Sequence, residues 1–361
     1  MNDDALKSLR ARIDALDDAW LKLVSERAAI AQDVGRTKNG DTIYRPEREA
    51  QIVSRLRAAN PGPLSDDTVE RLLRETMSAC RALEQTIRVA YLGPEGTFSE
   101  QAVAKQFGHA VEAQAEADID ACFRAVETGR AHFAVVPVEN STEGSVTRTL
   151  DLMLASPLQI IGEVLLPIHQ NLMAATADIA TIGKVYGHVQ SLAQCQRWLA
   201  QHLPQAERIP VVSNSEGARR AALEPGAAAL GAAAAAGRYG LAIVAASIED
   251  EASNTTRFWV LGQTPAAPSG RDRTSLAMGA PNRPGAIVKL LQPLADAGVS
   301  LSKLESRPAR QEHGAAGNWE YVFHVVCEGH QSDPTFAAVL DEVRARAAFL
   351  KVLGSYPASA S

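Results

Sequence analysis

What this 361-residue chain lacks narrows it first. Its four cysteines, Cys80, Cys122, Cys195 and Cys327, stand far apart with no C-x-x-C pair, which excludes a zinc ribbon and a disulfide scaffold. No dense run of Lys or Arg occurs and the formal net charge is −6, so a nucleic-acid partner is not expected. Acidic small molecules stay open, because they need only local cations. No apolar stretch reaches about 18 residues without polar breaks except the alanine-rich segment 226–237, which reads as a tightly packed helix rather than a membrane span. The opening MNDDALKSLR is acidic and amphipathic, unlike a signal peptide, so a soluble cytoplasmic protein is expected. G-x-G-x-x-G and Walker spacings are missing as well, and neither a nucleotide cofactor nor a metal is expected.

What is present divides into three parts, as the length suggests. In residues 1–87, apolar positions at Leu9, Ile13, Leu16, Trp20, Leu23, Ile30 and Val34 keep a three-and-four spacing for about eight turns. That predicts one long helix, and a helix of such length calls for a partner helix from a second chain. A second helix is expected from Pro46 to about Ala59, and a third, capped by Ser65, to about Ile87. Arg27 interrupts the apolar stripe and Lys38 follows three turns later on the same face. Two inward cations call for an anion between the helices, since an unpaired buried arginine costs several kcal/mol. Arg10 lies seventeen residues before Arg27, about 25 Å along the axis, so it can serve that pocket only from the other chain of an antiparallel dimer. Arg48, Glu49, Cys80 and Glu84 are candidates for the pocket wall. A solvated, salt-bridged bundle is the plainer alternative.

LRARID, SERAAIA, GRTK and RPERE, spread over residues 9–49, resemble the all-helical chorismate mutases, which are intertwined dimers. The resemblance implies that Arg10, Arg27 and Arg48 hold the carboxylates of chorismate. It places Lys38 and Glu84 at the ether oxygen, Glu49 at the hydroxyl and Cys80 beside the substrate. Arg45 departs from the family pattern, where some members carry aspartate.

Residues 88–263 alternate short apolar runs with amphipathic segments, which predicts two α/β lobes with the chain returning to the first at Phe258-Trp259-Val260-Leu261. Small polar loops at 93–100, 138–146, 187–195 and 213–218 face the resulting cleft; taken singly each is an ordinary capped turn. Together GPEGTFSEQA, VPVENSTEGSV, GHVQSLAQC and NTTRFWVLG resemble prephenate dehydratase. That implies Thr256 as hydrogen-bond donor to the departing hydroxyl and Arg257 for a carboxylate. Ser99, Glu139, Asn140, Ser141 and Gln194 would line the cleft.

After a Pro/Ser/Gly linker at 264–272, residues 272–361 read βαββαβ, a ferredoxin-like module. Asn282-Arg283-Pro284-Gly285 and the LESRP run at 304–308 resemble the ACT regulatory domain. By that resemblance, phenylalanine binds between two copies near Gly285, Ala286, Ile287, Glu305, Ser306 and Arg307. A small sheet without ligand is the alternative.

The combined expectation is a multidomain enzyme of the bifunctional chorismate mutase and prephenate dehydratase family: an all-α module, a two-lobed α/β domain and an α+β regulatory domain. It takes chorismate and prephenate as substrates, answers to phenylalanine and assembles at least as a homodimer. A non-catalytic amino-acid sensor, or a dehydratase with a feeble mutase, are the competing readings.

Overall fold

The computed structural model describes residues 2–37, 44–280, 283–308 and 321–359. Helix α1 (Asn2–Thr37) is unbroken, as its periodicity requires, and α2 (Pro46–Ala58) carries Pro46 in its first turn. The Ser65 hydroxyl caps α3 (Asp66–Ala82) by accepting from the Thr68 amide at 3.3 Å. This helix stops short of the expected Ile87, because the Ile87 carbonyl already accepts from the Glu112 amide at 2.8 Å and so begins a sheet. Glu84 therefore sits in the turn past α3, not on the helix. The helical module docks through Tyr44, which is buried against the rings of Phe107 and Phe133 with centroids 4.8 and 5.2 Å away.

The first lobe is one sheet of β1 (Arg88–Leu92), β2 (Glu112–Glu116), β3 (Phe133–Asn140), β4 (Gly144–Ser145), β5 (Gln159–Pro167) and β11 (Thr255–Gly262). Its order is β2-β1-β3-β11-β5, with β4 paired to β3. Helix α4 (Phe98–Phe107) covers one face; α5 (Ile119–Glu127) and α6 (Thr147–Ala155) cover part of the other. Ser145 belongs to β4, and α6 begins two residues later at Thr147.

The second lobe is β6 (Asn171–Ala174), β7 (Lys184–His188), β8 (Glu207–Val211), β9 (Ala227–Gly231) and β10 (Ala242–Ala245), in the order β10-β6-β9-β7-β8. Around it lie α7 (Val189–Gln194), α8 (Gln196–His202), α9 (Asn214–Ala221) and α10 (Ala233–Tyr239). The alanine-rich segment corrects a helix expectation: Ala227–Gly231 is a fully buried strand between β6 and β7. Alanine's helix preference is a few tenths of a kcal/mol per residue, and a central strand position with both ladders filled outweighs it.

The third sheet holds β12 (Asp272–Gly279), β13 (Leu301–Pro308), β14 (Tyr321–Glu328) and β15 (Phe349–Pro357), antiparallel in the order β13-β14-β12-β15. Helices α11 (Ala286–Asp296) and α12 (Pro334–Arg346) cover one face, giving the expected βαββαβ module. The other face joins the first lobe in one core, where Ala277, Val322, Leu353 and Tyr356 meet Val136, Leu150, Ile160 and Trp259. Contact is closest at Gly354, where an added Cβ would lie 2.2 Å from the Ile160 carbonyl oxygen and 2.6 Å from its amide nitrogen. Because backbone cannot yield there as a side chain would, Gly354→Ala is expected to cost at least about 1–3 kcal/mol. Calorimetric unfolding checks this, and an unchanged Tm would mean that β15 does not seat on β5.

Candidate active sites and effector module

The register places four chain segments at one end of the first sheet. β1 and β3 run parallel and end there at Leu92 and Asn140, β11 begins there at Thr255, and β5 ends there at Pro167. In the second lobe β7, β8 and β9 end, and β6 begins, at the matching edge. Two crossovers connect the lobes: the Asn254 carbonyl accepts from the Ile168 amide and the Gln170 carbonyl from the Ile248 amide, both at 2.8 Å. Loops at strand ends thus confront one another across a cleft, the usual ligand position in open α/β sheets. The lobes touch where a Cβ on Gly96 (φ +80°) would lie 3.3 Å from Ser215 Oγ, and where Arg238 pairs with Glu95.

Thr256 sits opposite Asn140 in the ladder, and the Asn140 Nδ2 donates 2.8 Å bonds to Thr256 Oγ and to Asn254 Oδ1. The Asn140 side-chain Oδ1 closes its own turn, accepting from the Thr142 hydroxyl at 2.6 Å and the amides of Thr142 and Glu143 at 3.0 and 3.2 Å. With the orientation of Asn140 set in this way, Thr256 Oγ is an acceptor toward Asn140 and its hydrogen is free to donate elsewhere. Gln194 reaches the same loop, its Nε2 lying 3.5 Å from Thr142 Oγ. Ser141 is exposed at the rim, with its Oγ accepting from the Thr255 amide at 3.0 Å, and Ser99 is buried in the first turn of α4. Sequence reading passed over Asn254, which is 2% exposed and whose Nδ2 has no hydrogen-bond partner among the described residues.

Strand parity corrects the grouping of Thr256 with Arg257 and Glu139. Thr256, Phe258 and Val260 face α4; Arg257 and Trp259 face the third sheet. The Arg257 guanidinium is taken up by Glu163 at 2.5 Å and by Glu139 at 3.3 Å, and Glu163 also binds Arg273 of β12. Burial alone would lower the Arg257 pKa, and the two carboxylates more than reverse that. Arg257 and Glu139 are thus paired with each other on the side of the sheet opposite Thr256.

Parity on β13 has the same effect. Lys303, Glu305 and Arg307 point toward the first lobe; Leu304 and Ser306 point away and are exposed. Glu305 bonds the Ser145 hydroxyl, and Arg307 meets Asp151 at 3.0 Å and the Thr147 carbonyl at 3.1 Å. Among the expected phenylalanine-contact residues, Glu305 and Arg307 are thus already engaged with the first lobe. Gly285, in the left-handed conformation at φ +74°, precedes α11, and Ala286 and Ile287 form its half-buried start. His324 on β14 is enclosed in the same interface; burial pushes its pKa down to about 4, which Glu305 opposes and Arg307 and Lys303 reinforce.

In the helical module, Glu49 is buried and paired with Arg81, whose Nη2 also donates to the Phe107 carbonyl at 2.8 Å and whose guanidinium lies 5.1 Å from the centre of the Tyr44 ring. Arg81 was given no role in the sequence reading; its burial follows from the docking of α3 on Phe107. Burial lowers its pKa; Tyr44 and Glu84 oppose this and Arg27 adds to it, so Arg27, Arg81 and Glu84 share one neighbourhood. Glu84 packs on Gly35, where a Cβ would lie 2.7 Å from its Oε2. Cys80 is buried, Arg27 half-buried, and Arg10 and Arg48 are exposed. Lys38 lies outside the described residues.

A two-lobed small-molecule enzyme fused to a helical module and a ferredoxin-like regulatory module is what this fold and cleft define. Residues 9–85 match the family described as chorismate mutase type II, 89–266 prephenate dehydratase and 274–345 the ACT domain. A bifunctional chorismate mutase/prephenate dehydratase of Neisseria gonorrhoeae is 48% identical over 98% of both chains. The solved prephenate dehydratase of Arthrobacter aurescens in complex with L-Phe is 33% identical at a TM-score of 0.68, covering 75% of this chain and 90% of that one. A quorum-quenching acylase, GqqA, superposes equally well (TM-score 0.68, 28% identity, 75% and 98% covered), so the two-lobed fold alone does not specify the reaction. Similarity along the whole length decides it: the chain belongs to the family of bifunctional chorismate mutase/prephenate dehydratases.

Proposed function

We propose that this enzyme rearranges chorismate to prephenate in its helical module, converts prephenate to phenylpyruvate in the cleft and is feedback-inhibited by phenylalanine at the ACT domain. The observation that carries this reading is the presence of all three modules in one chain, in the order of full-length bifunctional relatives at 48% identity. In the cleft, the ring C–carboxylate bond breaks, its electron pair enters the ring, and the hydroxyl on the opposite carbon leaves, taking up a proton to depart as water. Thr256 donates a hydrogen bond to that hydroxyl as charge develops on it. Since Arg257 is committed to Glu163 and Glu139, the substrate carboxylates fall to backbone amides, chiefly at the start of α4, where Thr97 makes no side-chain cap.

The helical module works as a dimer in this reading. Leu16 and Trp20 on α1 are 69% and 62% exposed, and Leu9, Ile13, Leu23 and Ile30 continue the bare stripe, which a second copy would cover. Arg10 then enters the partner's pocket beside Arg27, Arg48, Glu49, Cys80 and Glu84, with Lys38 completing it. Phenylalanine binds near Gly285, Ala286 and Ile287 at the start of α11 and the outward-facing Ser306. Full-length protein supplied with chorismate is expected to form prephenate and then phenylpyruvate, and added phenylalanine to suppress only the second step. Prephenate accumulating without phenylpyruvate would refute the dehydratase assignment, and no consumption of chorismate would refute the mutase.

A further inference from the structure

We propose that Lys303, which belongs to the regulatory module, is a positioning residue for the dehydratase site and the point at which the effector state reaches it. This rests on the dehydratase and feedback reading above. The Lys303 Nζ lies 3.2 Å from Glu139 Oε1, 2.9 Å from Ser145 Oγ and 3.1 Å from Glu305 Oε2, with its side chain 18% exposed. Two of those three partners belong to one small hairpin of the first lobe: Glu139 on β3 pairs with Ser145 on β4, and Asn140 with Gly144. Lys303 thus grips the hairpin from outside at the residue preceding Asn140. On the inside, Asn140 holds Thr256 Oγ and closes the turn between the two strands.

Alternation makes the connection direct. Glu139 and Asn140 are consecutive on a strand, so a shift of the Glu139 carboxylate that twists the strand reorients the Asn140 amide on the opposite side. The same logic holds on β13, where Lys303 and Glu305 face the first lobe while Leu304 and Ser306 face outward. A ligand or second copy pressing on the outer side of this edge strand therefore moves the cation clasping the catalytic hairpin. Burial alone would raise the Glu305 pKa, yet the Ser145 hydroxyl and Lys303 hold it lowered. Glu139 also binds Arg257, so releasing Lys303 leaves that carboxylate paired and the change confined to geometry.

The test uses the full chain with Lys303→Met, which keeps the length and removes the charge, Lys303→Arg as the conservative rescue, and Glu305→Gln as a milder break of the same clasp. Lys303→Met is expected to lower kcat for prephenate at least about fivefold with a smaller change in KM, to leave chorismate conversion unchanged, and to recover most of kcat in Lys303→Arg. Calorimetric titration should show phenylalanine binding within about threefold of the parent, while its inhibition weakens at least about fivefold, the lower end of ordinary coupling. Should Lys303→Met fold poorly, as a loss of chorismate conversion would reveal, Glu305→Gln must show the same separation of binding from inhibition. An unchanged kcat and undiminished inhibition would overturn the proposal, as would loss of phenylalanine binding itself, which would make Lys303 a ligand contact. If the parent protein neither binds nor answers phenylalanine, the feedback reading fails, while the prephenate kcat of the variants still decides the positioning role.

Discussion

Thr256→Ala is expected to reduce prephenate conversion at least about 100-fold while chorismate conversion stays at the parent rate, the scale of a lost transition-state donor in a preorganised site. The structure sharpens this expectation. Because Asn140 Nδ2 donates to Thr256 Oγ, the hydroxyl hydrogen is directed away from Asn140 toward the cleft. Thr256→Ser, which keeps the oxygen, should therefore retain much more activity than Thr256→Val, which keeps the shape and loses both roles. Losing the acceptor also leaves Asn140 Nδ2 with Asn254 Oδ1 alone, so Val is expected to be no better than Ala. Steady-state rates on each substrate, measured on the same preparation, check the pattern. Equal losses in both activities would mean a general folding defect, and a fully active Thr256→Val would remove Thr256 from the chemistry.

Chains carrying Arg10→Ala or Arg27→Ala are each expected to lose mutase activity by about 100-fold or more, yet to complement one another when mixed, unfolded and refolded together. Along the unbroken α1, the seventeen residues between these arginines span about 25 Å, beyond the reach of one pocket within one chain. In a two-fold dimer whose sites each combine Arg27 of one chain with Arg10 of the other, every mixed dimer contains one intact site and one doubly defective site. Random pairing makes half the dimers mixed, so about a quarter of the parent mutase activity should return. Dehydratase activity measured alongside reports the amount of folded protein. No recovery in a preparation shown to contain mixed dimers would refute the assignment of Arg10 to the partner's site.

Module order, the long helix and the return of the chain to the first lobe at Thr255–Gly262 were all legible in the residue string. These depend on periodicity and on punctuation by Pro, Gly and Ser, which act within a few residues of each other. Four strands escaped that reading, β2, β4, β6 and β9, and for two of them the physical reason is plain. β2 (EAQAE) is a polar edge strand with little apolar signal, and β9 is made of alanine, whose local preference is helical. Clustering at the site was half legible. NTTRF and VENST announced a polar strand end, and the ladder does set Thr256 opposite Asn140.

Which neighbours share a side was decided only by the packed sheets. Consecutive residues on a strand point to opposite faces, and nothing in the string says which face meets the cleft and which meets another module. Thr256 and Asn140 fall on the face toward α4, while Arg257 and Glu139 fall on the face that the third sheet covers. Glu305 and Arg307 were likewise claimed by Ser145 and Asp151, more than 150 positions away in the chain. By itself the sequence determined what chemistry is available and in what order; tertiary packing decided which charges that chemistry can use, because an ion pair across two sheets depends on a juxtaposition that no local pattern encodes.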